Sequence, residues 1–377
     1  MEFETLCIHG SKDNTHNTGA VCVPIYQSAT FTHPSVGEST GYDYSRQQNP
    51  TREQLEQTVA SLEGGAGALA FSSGMAAVAC MLELFSPGDE IVASEDLYGG
   101  TVRLFESIAA KNGIRIFYAD TGKPDELQSV ISYKTKAVFI ETPTNPMMNV
   151  TDIAKVKRSL CGRKLLLIVD NTFLTPYFCK PLKLGADIVI HSGSKYLGGH
   201  NDTIAGFLSA KESALCEKLR FIQKTTGAAL APFDSFLLLR GIKTLALRMN
   251  QAQRSAGEIA QWLKKQEKIK AVHYVGLPEH PGYEISKKQA SGFGAMISFE
   301  VDTKETAVSV LERVKLILYA ESLGGVESLI TYPILQTHAD VPEEKRVKLG
   351  INERLLRLSV GAENVKDLIN DLNQAIN

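Results

Sequence analysis

The segment His191-Ser192-Gly193-Ser194-Lys195-Tyr196 sets one lysine among small and hydroxyl residues, directly after the strand-like run Asp187-Ile188-Val189-Ile190. The ε-amine of lysine attacks carbonyl compounds only when neutral, so a reactive Lys195 needs burial or cationic neighbours that lower its pKa. A solvent-facing lysine stays charged, and the loop alone does not separate the two cases. Asp170 lies 25 positions upstream, at the end of the most apolar run, Leu165-Leu166-Leu167-Ile168-Val169. Ligands of parallel α/β sheets sit at the carboxyl ends of the strands. This carboxylate is therefore either poised against a buried cation or caps the next segment.

One cofactor accounts for both residues: pyridoxal phosphate, held as a Schiff base by Lys195, with Asp170 keeping its pyridine nitrogen protonated. Ser72-Ser73-Gly74-Met75-Ala76 lies between a strand and a helix, where helix N-terminal amides favour an anion such as a phosphate; the same residues also suit plain helix capping. Ser192 and Ser194 add two hydroxyl donors beside Lys195. Tyr98 is read either as a core tyrosine or as a ring that stacks on a planar cofactor and passes protons. Tyr44 and Arg46 are surface groups unless the segment carrying them crosses to a second subunit and completes its phosphate site. Arg357, on an apolar strand, is costly to bury unpaired. Its partner is either an internal carboxylate or an amino-acid substrate gripped bidentately.

The elements that would position these residues follow an α/β rhythm. Short apolar runs at 68–71, 90–93, 114–117, 137–140, 165–169 and 188–190 alternate with helical stretches such as 74–85 and 100–112, which predicts a mostly parallel central sheet. Residues 1 to about 60, rich in Thr, Ser, Gly, Asn and Pro, read as an extended arm contacting a neighbouring subunit. A large cofactor-binding domain is expected over 61–240. A long helical stretch at 234–267, broken near Gly241, leads into a smaller α+β substrate domain over 241–377, with strands at 295–299 and 355–359 and helices at 304–315 and 364–376. The chain has 377 residues, 44% hydrophobic, and a net charge of -2 without a Lys/Arg block, which excludes the footprint of a nucleic-acid or membrane-surface binder. Its six cysteines show no C-x-x-C spacing, so neither a zinc site nor a disulfide framework is expected, and reduced thiols in a cytoplasmic protein are. No metal ligand set is singled out. No apolar run approaches a bilayer span.

The motifs resemble, over nearly the whole chain, the gamma-family of transsulfuration enzymes. Supporting segments are Tyr44-Ser45-Arg46 with Asn49-Pro50-Thr51-Arg52, Ser72-Ser73-Gly74-Met75-Ala76-Ala77, Leu97-Tyr98-Gly99-Gly100-Thr101 and Glu141-Thr142-Pro143-Thr144-Asn145-Pro146. Further support comes from Val169-Asp170-Asn171-Thr172-Phe173, Ser194-Lys195-Tyr196-Leu197-Gly198-Gly199-His200, Glu321-Ser322-Leu323-Gly324-Gly325 and Arg357-Leu358-Ser359-Val360-Gly361. The resemblance implies the aspartate aminotransferase fold (fold type I of PLP-dependent transferases) and a homotetramer built from two active dimers. It makes Lys195 the Schiff-base lysine, with Tyr98 as its catalytic partner, and Asp170 the pyridinium partner. Gly74, Met75, Ser192 and Ser194 would hold the phosphate, with Tyr44 and Arg46 from the neighbouring subunit. Tyr98 would stack on the ring, and Asn145 would hydrogen-bond near the 3-hydroxyl. Arg357, Ser322, Tyr98, Glu321 and Arg103 would bind substrate. The family commonly has Ser-Ala-Thr-Lys where this chain has Ser192-Gly193-Ser194-Lys195, which keeps the hydroxyl and loses a methyl.

The implied reaction is loss of a group at Cγ of an amino acid. Glu321-Ser322-Leu323 resembles the gamma-acting enzymes and departs from the Tyr-Ser-Trp pattern of cystathionine beta-lyases. Tyr98-Gly99-Gly100-Thr101 lacks the cysteine typical of methionine gamma-lyases, and the chain is shorter than most O-acetylhomoserine sulfhydrylases. Gly37-Glu38-Ser39-Thr40-Gly41 and Ile330-Thr331-Tyr332-Pro333 resemble bacterial cystathionine gamma-synthases, which join cysteine to an O-acylhomoserine. The expectation is thus a synthase, with cystathionine gamma-lyase as the alternative. A non-catalytic scaffold would not need both Lys195 and Asp170.

Overall fold

The computed structural model describes residues 1–10, 19–339 and 341–377. Seven strands form one sheet: β1 (Gly67–Phe71), β2 (Glu90–Ser94), β3 (Arg115–Ala119), β4 (Thr135–Glu141), β5 (Leu166–Asp170), β6 (Ile188–Ser192) and β7 (Gly206–Ala210), in the order β1-β7-β6-β5-β4-β2-β3. Only β7 runs against its neighbours, pairing antiparallel with both β1 and β6. Period-2 alternation puts Val138, Ile140, Leu167 and Val169 in one core and Ala137, Phe139 and Ile168 in the core on the opposite face. Burial on both faces is why these strands read as continuous apolar runs. Five strands, β8 (Ile269–His273), β9 (Met296–Val301), β10 (Leu318–Tyr319), β11 (Leu329–Thr331) and β12 (Leu355–Ser359), form a second sheet in the order β10-β11-β12-β9-β8. Helices Lys304–Arg313 and Val365–Ile376 pack together beside it.

The sequence-predicted strands lie where expected, but β7, β8, β10 and β11 were not foreseen. The segment Gly206-Phe207-Leu208-Ser209-Ala210 contains no β-branched residue, so its strand character comes from pairing on both sides rather than from propensity. The arm expected to reach residue 60 ends sooner. Residues 50–63 form a helix whose N-cap, Asn49, accepts from the amides of Thr51 and Arg52, with Pro50 at its first position. Leu55, Val59 and Leu62 on that helix are fully buried, so it belongs to the core. The long stretch at 234–267 is two helices, Pro232–Ile242 and Leu245–Leu263, and the break falls after Gly241.

Gly241 serves a different purpose. A Cβ there would lie 2.1 Å from the carbonyl oxygen of Gly198, so only glycine lets this helix touch the loop that follows Lys195. The buried Arg248 secures the same loop. Its guanidinium donates to the carbonyls of Tyr196 (2.6 Å) and Gly241 (2.9 Å), and its Nε donates to Thr244 Oγ1 (3.0 Å). Removing it would leave the Tyr196 carbonyl without this donor, while the Gly241 carbonyl would keep the amide and hydroxyl of Thr244. Arg248→Ala is expected to lower unfolding stability by about 3 kcal/mol, measured as a shift of the denaturant midpoint; an unchanged midpoint would contradict this role.

Candidate active site

Because six of the seven strands run the same way, their carboxyl ends share one edge of the sheet, and the loops leaving them line a cavity of about 1190 Å³. β1 delivers the Ser72–Met75 turn, β2 delivers Tyr98, β4 delivers Glu141 and Asn145, β5 delivers Asp170 and Thr172, and β6 delivers Ser192, Ser194 and Lys195. The second sheet contributes Arg357 from β12 and, from the loop before β11, Glu321 and Ser322.

Lys195 Nζ donates to Ser322 Oγ at 2.8 Å. Burial, and then the charge of Arg357, lower its pKa to about 8 against the opposing pull of Glu321. Asp170 Oδ1 accepts from the amide of Thr172 (3.0 Å) and from its hydroxyl (2.6 Å), while Thr172 Oγ1 accepts from the amide of Ser192 (2.9 Å). One threonine thus joins the ends of β5 and β6. Burial pushes the Asp170 carboxyl above the usual range, opposed by those Thr172 bonds and by His191. A buried acid of that kind is stabilised in its charged form by a cation brought against it.

Arg357 is 1% exposed, and burial pulls its pKa down to about 10. Nη1 donates to Asn145 Oδ1 (2.8 Å), Nη2 donates to the Ser322 carbonyl (2.9 Å), and Nε has no partner. No carboxylate among the described residues lies within ion-pair distance of it. Among the described residues the internal-partner reading of the sequence has no candidate, and an incoming carboxylate suits the site. Ser322 adopts φ +128, a region that favours glycine, while holding both Lys195 and Arg357.

A family model for the Cys/Met metabolism PLP-dependent enzymes matches residues 4–377. The chain belongs to that family. It is 47% identical over 376 residues to cystathionine gamma-lyase of Bacillus subtilis (strain 168), spanning 100% of this chain and 99% of that one. A cystathionine gamma-synthase/O-acetylhomoserine (thiol)-lyase of the same organism is 51% identical over 359 residues, or 95% of this chain and 92% of that one. Among solved structures, cystathionine gamma synthase from Xanthomonas oryzae pv. oryzae, in complex with aminoacrylate and cysteine, superposes with a TM-score of 0.97 at 39% identity, covering 100% and 98% of the two chains.

The family's cofactor is pyridoxal phosphate, and this chain's residues fit it. Ser73 Oγ caps the helix Gly74–Leu82 by accepting from Ala76, so the first-turn amides at Gly74 and Met75 have no helical acceptor of their own. A Cβ on Gly74 would stand 3.3 Å from Ser192 Oγ, so the glycine keeps that cradle clear. The Ser194 hydroxyl also lines the cavity and exchanges bonds with the backbone of Ala205 (2.9 and 3.3 Å), while Ser192 lies beside the helix terminus at Gly74.

Eleven of the sequence-predicted residues line the cavity: Gly74, Met75, Tyr98, Asn145, Asp170, Ser192, Ser194, Lys195, Glu321, Ser322 and Arg357. Tyr44, Arg46 and Arg103 do not. Arg46 reaches the Lys224 carbonyl and lies over the Tyr44 ring, on the outside of the chain. Arg103 is exposed on the helix Gly99–Leu104; Thr101 faces the cavity, and two residues along a helix turn the side chain about 200° away. Sequence reasoning gave no role to Glu141, Thr172 or Asp96. The first two stand in quoted motifs, immediately around the β4 and β5 termini, and that position was the available signal.

In the cofactor-free protein, Lys195 is expected to react with an amine reagent at a rate that rises with pH through about 8, since only the neutral amine attacks. Arg357→Leu removes a charge that lowers this pKa and should move the midpoint upward, followed by mass spectrometry of the labelled peptide; a midpoint left in place would refute that electrostatic link.

Proposed function

We propose that this chain is a cystathionine gamma-synthase, which replaces the acyloxy group of O-acetyl- or O-succinylhomoserine with cysteine. The observation that carries an amino-acid reaction is the wholly buried Arg357 with an unpartnered Nε beside the depressed-pKa Lys195. The substrate carboxylate would bind Arg357 and the Ser322 loop, bringing Cα toward the lysine. When bound, pyridoxal phosphate supplies an electron sink for the pair released at Cα. Lys195 Nζ, half neutral near pH 8, would take one proton from Cα and one from Cβ, so that the acyloxy group leaves Cγ as a carboxylate, and would return both after the cysteine thiolate has added at Cγ, with the Tyr98 hydroxyl sharing the transfers. Asp170 would hold the ring nitrogen's charge, and the Gly74–Met75 amides with Ser192 the phosphate. The likeness of Gly37–Gly41 and Ile330–Pro333 to bacterial synthases supports replacement over elimination.

We further propose a cytoplasmic homotetramer of two active dimers, in which Tyr44 and Arg46 complete the phosphate site of the neighbouring subunit. Their position outside this chain's own cavity agrees with donation across an interface. No helix among the described residues is long and apolar enough to cross a membrane.

Cysteine supplied with O-acetylhomoserine or O-succinylhomoserine should yield cystathionine. Release of 2-oxobutanoate from cystathionine at a much higher kcat/KM would make the chain a gamma-lyase, and pyruvate release a beta-lyase. Lys195→Ala should abolish turnover, losing at least the roughly 10²- to 10⁴-fold that positioned acid-base groups contribute. Arg357→Lys, which forfeits the planar fork, should raise KM about tenfold or more, consistent with the loss of one charge-assisted bond; an unchanged KM would remove Arg357 from the carboxylate site.

A further inference from the structure

The loops leaving β2 and β4 grip each other through two buried carboxylates. Glu141, 6% exposed at the end of β4, accepts from the amide of Tyr98 at Oε2 (2.9 Å) and from the amide of Asn145 at Oε1 (3.0 Å). Asp96, 5% exposed in the β2 loop, answers in the other direction. Its Oδ2 accepts from the Thr144 hydroxyl and from Asn149 Nδ2 (3.2 Å), while its Oδ1 has no partner. Each carboxylate belongs to one loop and holds the other.

The chain continues into the site. Tyr98 faces the cavity, and Asn145 Oδ1 accepts from Arg357 Nη1. Glu141 is also the lateral neighbour of Asp170 in the β4–β5 register. A single side chain thus touches the backbone of the stacking tyrosine and of the asparagine that aligns the guanidinium, beside the acid of β5.

Resting on the reading in which Tyr98 and Arg357 face cofactor and substrate, we propose that Glu141 is a positioning residue that fixes the Tyr98 ring and the Arg357 guanidinium in register with each other. Both oxygens of Glu141 are engaged by backbone amides, so the residue acts through others. It acts by denying two backbone amides any other acceptor: a buried N–H left without one reorients its turn.

The test uses the cofactor-loaded enzyme. Glu141→Gln keeps one acceptor oxygen and loses the other. It should lower kcat about 100-fold, the loss expected when a reacting group is displaced by about 1 Å, and raise amino-acid KM about tenfold, one lost alignment at the guanidinium. The absorbance band of the bound cofactor, and its change on adding an unreactive amino acid, should shift in the same variant and report the displacement without turnover. In an Asn145→Ala background, where the link to Arg357 is already cut, Glu141→Gln should leave KM unmoved while still lowering kcat. Asp96→Asn probes the other half of the clasp and should shift the same absorbance band. Equal KM penalties in both backgrounds, an unshifted band, or variants that merely unfold would each overturn the assignment and leave a structural clasp alone. A wild-type enzyme without transsulfuration activity would instead sink the proposed reaction and leave the spectral test standing.

Discussion

A guanidinium buried with no carboxylate partner among the described residues is the constraint around which this site is arranged. Arg357 stands on the central strand β12, satisfied by an amide oxygen and a backbone carbonyl, with one donor left over. Neutral acceptors offset only part of the desolvation of a cation, so the charge remains felt across the cavity. It lowers the lysine beside it and favours an anion in front of it. The strained Ser322 backbone is the local consequence, since its carbonyl and hydroxyl are directed at these two cations.

The large sheet sets two acids at the corresponding edge. Asp170 and Glu141 are paired in register at the ends of β5 and β4, both raised by burial, and Glu141 is raised further by Asp170. Two carboxylates so close are unfavourable together in an apolar setting, which makes the pair receptive to a protonated ring nitrogen. This arrangement suits the proposed cofactor contacts, with amide donors at a helix terminus and acids at the strand ends.

Rigidity behind the site comes from contacts that touch no ligand. The Lys195 loop is held from beneath by Arg248 and by the close approach of Gly241 to Gly198. In the strand before it, His191 meets Glu63 at 2.5 Å, both buried, and ties β6 to the helix Pro50–Glu63. That helix, which sequence composition had assigned to an extended arm, is thereby part of the lysine's support.

The sequence by itself determined the chemical inventory and most of the large sheet. Lys195, Asp170 and the Ser72–Met75 turn each adjoin an apolar run, and strand period and turn residues are local properties that neighbouring positions reveal. Family motifs added roles that spacing alone did not. Only the tertiary structure decided which residues meet: Lys195 with Ser322 across 127 positions, Asn145 with Arg357 across 212, and Glu141 with Tyr98 across 43. The antiparallel β7 is of the same kind, a strand created by its neighbours. Such contacts depend on how two sheets dock and how loops pack at one edge, and no local pattern in the chain encodes that distance.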